Sequence, residues 1–360
     1  TNNRYRKTTS VRIMRVSYGL VGTTRGHAVR ALAIGQELVE RGHEVLFFTD
    51  GDAEELLKAR FGEECVCATE TPKYYFTRGK ISIRKTLTKN LKFLLRRKKL
   101  AQPIIERLRT WKPDVTIADY DPFMWHVSKV LKIPHVALNS QEFLNSSPLP
   151  KGIKLSDRIQ AKFGGKLLRR LSPTADLRIV GKILFEKHPW AKAEFVGAII
   201  RQEFDKYTWT PKGTHFLVYS SIIPDKTLAE INKIAEREGK RAMVFGISQE
   251  AVEKHEWLDY QPTSETGFIE AMCNADFVIS GAGNQLLSET LHLGIPVLIT
   301  PIPNQFEQTI TARMQVIAKP EQFAMFHADA IIPTPDKDID KTQTQGRSKA
   351  VDLIEQLVVL

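Results

Sequence analysis

The residues best placed to do chemistry lie between Gly281 and Gln308, in GAGNQLLSETLHLGIPVLITPIPNQFEQ. Gly281, Ala282 and Gly283 end a β-like run, and Asn284 opens a helical pattern. Glycines there let the backbone approach a ligand, while the first free amides of a helix and its dipole favour an anion. The third glycine of G-x-G-x-x-G is missing, and a tight packing turn explains Gly-Ala-Gly equally well. Glu289, one and a half turns into the helix, is either a solvated carboxylate or an acceptor for the two hydroxyls of a ribose. After the next strand pattern, Asn304, Gln305, Glu307 and Gln308 line a loop at a strand's C-terminal end, where open parallel sheets bind ligands. An anion site, a diol acceptor and an amide-lined loop within 28 residues read together as a nucleotide-sugar pocket.

These residues need strands and helices to hold them. VRIMRVSYG, EVLFFT, PDVTIADYDPF and IPHVALN read as strands, and AVRALAIGQELVERGH and DGDAEELLKARFG as helices between the first of them. The alternation restarts at THFLVYSS and continues through RAMVFG, ADFVISGAG and IPVLITPIP. Alternating strands and helices imply βαβ units and parallel, doubly wound sheets. Residues 1–10 read as a solvated leader with no apolar segment for a secretory signal. A first domain then spans 11–199, a second 200–345 and a terminal helix 346–360, with 318–346 poorly patterned.

The chain has 360 residues, 42% hydrophobic and 26% charged, enough for two soluble domains. It has no apolar run of the ~20 residues that a spanning helix needs. Cys65, Cys67 and Cys273 fit neither a zinc spacing nor an even disulfide set, and read as buried thiols in a reducing cytoplasm. Residues 1–200 hold 37 Lys and Arg against 19 Asp and Glu, and the remainder 15 against 22. The basic half is expected to face something anionic.

GFIEAMCNADFVISGAGNQLLSETLHLGIPVLITPIPNQFEQTITA resembles the donor-binding region of GT-B glycosyltransferases, including the MurG-like and UDP-glucuronosyl/glucosyltransferase groups. YGLVGTTRGHAVRALAIGQELVERGHEVLFFT is similar to their N-terminal Gly-His loop and first βαβ unit. A poorly characterised branch with a Gly-His-Ala-x-Arg opening and a GQFEQ-like loop is more similar still. The resemblance covers roughly residues 11–145 and 213–316. It implies a GT-B fold, two Rossmann-like doubly wound domains facing a cleft, with a nucleotide-sugar as co-substrate and no bound metal.

Carried over by position, Gly281, Ala282, Gly283 and Asn284 would face the diphosphate, and Glu289 the ribose hydroxyls. Gln305 and Gln308 would meet the ribose or sugar, with Glu307 nearby. Phe245, Gly246 and Phe268 would lie near the base, and Ser220 and Ser221 match the phosphate-side turn loosely. His27, after Gly22 and Gly26 in the acceptor-side loop, occupies the place of a histidine that deprotonates the acceptor in plant-type relatives. MurG-like relatives use it for binding instead. Asp119 would orient it, because a carboxylate can fix a histidine's tautomer. Relatives often have Pro where this chain has Arg30, a cation suited to an acceptor phosphate or carboxylate unless it is simply solvated. Asp119-Tyr120-Asp121 also spells D-x-D, a metal motif of another glycosyltransferase fold, but it lies away from the expected nucleotide pocket.

The resemblance implies an inverting glycosyltransferase that moves a hexosyl or N-acetylhexosaminyl group, from a UDP-sugar first, to a hydroxyl. A nucleotide-sugar epimerase of the same fold and a non-catalytic basic binder of membrane or nucleic acid are the alternatives. No nucleic-acid motif accompanies the charge, so nucleic acid is not expected as a partner. IRKTLTKNLKFLLRRKKL, within which residues 84–99 carry eight cations among leucines and Phe93, reads as a basic amphipathic element for an anionic membrane surface. KGIKLSDRIQAKFGGKLLRR repeats that mixture. A solvated helix face with its apolar side in the core is the plain alternative. The expected location is the cytoplasm, peripherally on the inner face of the membrane. If Glu289 serves only the ribose, its removal should weaken nucleotide binding and leave stability almost unchanged.

Overall fold

The computed structural model describes residues 12–22, 25–73, 76–77, 80–81, 83–183, 186–220, 222–247, 254–262, 264–334 and 341–359. The leader expected at residues 1–10 and Ser221 lie outside them. In the first half, β1 (Arg15–Leu20), α1 (Arg25–Glu40), β2 (Glu44–Thr49), α2 (Gly51–Phe61) and β3 (Val66–Ala68) form successive βα units. A two-stranded antiparallel pair, β4 (Phe76–Thr77) and β5 (Lys80–Ile81), precedes α3 (Ile83–Leu100) and α4 (Gln102–Trp111). There follow β6 (Val115–Asp119), α5 (Met124–Leu131), β7 (His135–Asn139), α6 (Phe143–Ser146), α7 (Leu155–Leu171), β8 (Leu177–Val180) and β9 (Glu194–Phe195).

Seven of these strands make one parallel sheet in the order β3-β2-β1-β6-β7-β8-β9. β6 and β7 are buried at every position, and β1 and β2 at all but their first. Helices cover both faces of such a sheet, which explains the continuous apolar runs in the sequence. α1 ends where Gly42 takes φ +85°, a left-handed geometry that a side chain would oppose.

The second sheet comes from β10 (His215–Tyr219), β11 (Arg241–Phe245), β12 (Leu258–Tyr260), β13 (Val278–Ser280), β14 (Val297–Ile299) and β15 (Phe323–Met325). It is also parallel, in the order β12-β11-β10-β13-β14-β15. α8 (Asp225–Glu238), α9 (Glu265–Asn274), α10 (Asn284–Leu293) and α11 (Phe306–Ala318) connect its strands. β15 falls in the stretch with no readable pattern.

The two units share chain at their junction. Ile199 packs in the first core, whereas Ala198, Ile200 and Phe204 pack in the second. The terminal helix α12 (Gly346–Val359) returns to the first unit, where Ala350, Val351 and Ile354 join the core beneath α1. Arg41 holds it through Asp352 at 2.6 Å and Glu355 at 3.1 Å, and Arg347 reaches Glu37 at 2.9 Å. Cys273 is buried, but Cys65 and Cys67 are only half-buried, because Cys67 lies in the edge strand β3 and Cys65 in the turn just before it. Among the described residues no helix is long and apolar enough to cross a membrane.

Candidate active site

Each sheet changes direction at one place, and the expected site residues gather at those two places. In the first sheet β1 has β2 on one side and β6 on the other, and Leu20 pairs with Asp119 at their C-terminal ends. In the second, β10 lies between β11 and β13, with Tyr219 beside Ser280. Loops diverge at such switch points and leave a crevice.

α1 begins just past β1 and carries His27 to Asp119. Nδ1 of His27 lies 2.8 Å from Asp119 Oδ1, with both side chains buried. Among the described residues Nε2 makes no hydrogen bond. Tyr120, next to Asp119, has φ +62° and sets its ring edge-on to His27 at 5.8 Å. A left-handed non-glycine residue costs backbone energy, and such positions cluster at functional sites.

Arg30 is neither solvated nor free for an acceptor anion in the way its type suggested. It is 3% exposed, and its Nε and Nη2 donate to the two oxygens of Asp119, each at 2.7 Å. Burial opposes the charge on both partners. Their mutual attraction outweighs it, so the guanidinium is held above its usual range and the carboxyl below its own, with His27 adding to the latter. Nη2 also lies 2.9 Å from His27 Nδ1. Nδ1 can donate to Asp119 or accept from Arg30, not both. Only the first leaves the Nε2 lone pair available to take a proton.

Asp121 takes no part in this pair. Its Oδ1 accepts from the amides of Phe123 at 2.8 Å and Met124 at 2.6 Å, anchoring the start of α5. Burial pushes its carboxyl up to about 7 against those two bonds. Gly22 is packed against Asp50, whose backbone oxygen would lie 1.9 Å from an added Cβ, whereas Gly26 has open space.

Across the crevice, Gly281–Gly283 turn from β13 into α10. Gln308 braces this turn: its Oε1 accepts from the amides of Ala282 at 3.1 Å and Ile302 at 3.0 Å. That oxygen is therefore occupied by backbone, and among the described residues the side-chain amine makes no hydrogen bond. Asn284 points its Nδ2 at the Gly181 carbonyl of the first unit, 3.0 Å away, rather than at the turn. Gln305 precedes α11, and Glu307 is half-buried in its first turn. Glu307 is near enough to Arg30 and Lys182 for its charge to raise both. Phe268 meets the rings of Tyr219 and Phe245 edge-on, each at 5.3 Å, forming an aromatic end wall. Gly246 takes φ +87° with Ser220 O 2.9 Å from where a Cβ would stand. The Ser220 hydroxyl is turned to the Ile222 carbonyl at 2.9 Å.

Glu289 is 2% exposed, not solvated. Its two oxygens accept from Arg201 Nε at 2.9 Å and Nη2 at 3.1 Å, and Gln285 Nε2 adds a bond at 3.0 Å. A ribose would share a carboxylate that is already braced. Sequence reasoning missed Arg201, which lies in the unpatterned connector. It also missed Lys182, the one cation in the apolar run IVGKILF, and that isolation was the available signal. Lys182 is buried, donates to Thr311 Oγ1 at 2.8 Å and sits 4.0 Å from the centroid of Phe143. Burial pushes its amine down to about 8, and Glu307 works against that fall. Arg25, exposed at the start of α1, was missed as well. Its charge reaches Tyr219 of the second unit.

Two parallel sheets whose switch points face each other define the GT-B class, and solved structures agree. CalG4, the calicheamicin glycosyltransferase, superposes with a TM-score of 0.63 over 97% of this chain and 99% of its own, at 15% identity. UGT89C1 of Arabidopsis thaliana, complexed with UDP-L-rhamnose, gives 0.58 over 97% and 92% at 13% identity. At such identities the likeness is one of fold. The family is shown by sequence: the glycosyl transferase family 1 model matches residues 14–324, and the chain belongs to that family. An uncharacterised glycosyltransferase of Methanosarcina acetivorans is 28% identical over 156 residues, 42% of this chain. The match spans 39% of that relative's length.

Proposed function

We propose that the protein is an inverting glycosyltransferase. It takes a hexosyl or N-acetylhexosaminyl group from a nucleotide-sugar, a UDP-sugar first, and passes it to the hydroxyl of a lipid-linked or membrane-proximal acceptor. The observation that carries this reading is the buried His27–Asp119 pair at one switch point, facing the Gly281–Asn284 turn at the other. α1 and α10, which bear these two groups, touch each other.

With Nδ1–H donated to Asp119, Nε2 takes the acceptor proton. The oxygen attacks the anomeric carbon from the face opposite the diphosphate, and the bond to the diphosphate breaks with inversion. Free amides at the start of α10 meet the charge that develops on the leaving group. Glu289 and the Gln305–Gln308 loop hold ribose and sugar. The UDP-L-rhamnose complex of one structural neighbour supports a uridine donor. Titration with UDP, GDP, dTDP and CMP tests the donor side, with UDP expected to bind tightest. Binding of none of them would overturn the reading.

A further inference from the structure

α7 is built the wrong way round for a helix whose apolar residues serve the core. Its buried side consists of Ala161, Gly165 and Leu168, with the half-buried Gly164 beside them. The two glycines let it sit close on its neighbours. A Cβ on Gly164 would come within 3.0 Å of Phe306, and one on Gly165 within 2.5 Å of Asn145. The large apolar residues point outward instead: Leu155 is 72% exposed, Ile159 62%, Phe163 58% and Leu167 36%. They are four apart and form one row along the helix. Arg158, Lys162, Lys166 and Arg170 form a second row beside it with the same spacing, and all four are exposed. Among the described residues no carboxylate pairs with any of them, and Asp157, the one acid on α7, is half-buried.

We propose that this outer face of α7 is a docking surface for an anionic lipid bilayer. Large apolar side chains entering the headgroup region, with cations alongside them at the phosphate level, are the two components of interfacial binding. A protein partner of mixed polarity would not need four unpaired cations in register with the apolar row. α3, the basic helix most conspicuous in the sequence, suits the role less well. Its Phe93 is buried in the core against Phe123, and of its apolar side chains that are described, Leu95 alone is strongly exposed. α7 also touches α11 beside Phe306 and Glu307, so docking on it would set the crevice mouth against the lipid surface. The inference deepens the membrane-proximal part of the proposed function. Its test reads binding rather than turnover, so the two can fail separately.

The experiment is sedimentation of the full chain with vesicles of phosphatidylcholine, alone or mixed with phosphatidylglycerol. The protein should bind the mixed vesicles and not the neutral ones, and rising salt should weaken the binding. Replacing Ile159 and Phe163 with Ser keeps every charge and should lower binding at least about tenfold. Replacing Lys162, Lys166 and Arg170 with Gln should lower it roughly a hundredfold on the anionic vesicles. The triple change Arg96→Gln, Lys98→Gln, Lys99→Gln on α3 should cost less than the α7 triple. UDP titration shows that each variant is folded, since all these positions are outside the crevice. Binding to neither vesicle, or loss with the α3 variant alone, would overturn the proposal. So would light scattering that shows a dimer dissociated by the Ile159/Phe163 change, because the face would then belong to a second copy of the chain.

Discussion

At the scale of single residues, the proposed reaction depends on which partner holds His27 Nδ1. His27→Ala is expected to lower turnover by about 10²–10⁴-fold while nucleotide affinity is kept. Kinetics and a UDP titration on the same preparation check this. Asp119→Asn should also slow turnover. Because it leaves the buried Arg30 charge without its counter-ion, it should further cost about 3–5 kcal/mol of stability, read by denaturant unfolding. Arg30→Gln tests the same ion pair from its other side. Removing the guanidinium that donates to both Asp119 oxygens leaves that buried carboxylate to His27 alone, so the variant should lose about 3–5 kcal/mol of stability in denaturant unfolding. Unfolding that stays in place would show that His27 alone is enough to hold the Asp119 carboxylate.

At the scale of elements, α10 does two things. It starts from the Gly281–Gly283 turn proposed to meet the donor, while Glu289, one and a half turns along, ties the helix to the interdomain connector through Arg201. The expectation of a change confined to nucleotide binding therefore gives way. Glu289→Ala should weaken UDP binding by roughly 1.5–3 kcal/mol, as loss of a charged hydrogen bond does. It should also destabilise the fold by about 3–5 kcal/mol, because the buried Arg201 loses the two bonds that Glu289 accepts from it. Calorimetric titration and chemical denaturation separate the two effects. Unchanged unfolding would mean that Arg201 relaxes to water.

At the scale of the whole molecule, α12 leaves the second unit and completes the core of the first. Ile354 is fully buried there, beneath α1. Ile354→Ala should cost about 2–5 kcal/mol of stability, the usual range for such a cavity. The loss should appear in the unfolding of the first unit, although the residue lies six positions from the end of the chain. Site-specific probes, one in each unit, followed through denaturation would show which transition moves. An effect confined to the second unit would contradict the packing.

Much of this architecture was legible in the residues alone. Strands such as EVLFFT and DVTIAD announce themselves because a parallel strand buried on both faces must be apolar nearly throughout. The glycine turn at Gly281–Gly283 and the stop at Gly42 are local requirements of backbone geometry, so they too are written locally. His27 and Asp119 could be named from their places after successive strands. That they meet depends on β1 and β6 lying side by side, since the two residues are 92 positions apart in the chain. The fates of Arg30, Lys182, Arg201 and Glu289 were not legible, because a charge is buried only where a distant partner offsets its desolvation. Helical periodicity likewise shows that α3 and α7 each have an apolar side. It does not say which side the rest of the chain covers. Tertiary packing put Phe93 inside and Phe163 outside, because the small Gly164 and Gly165 allow α7 its close approach on the other side.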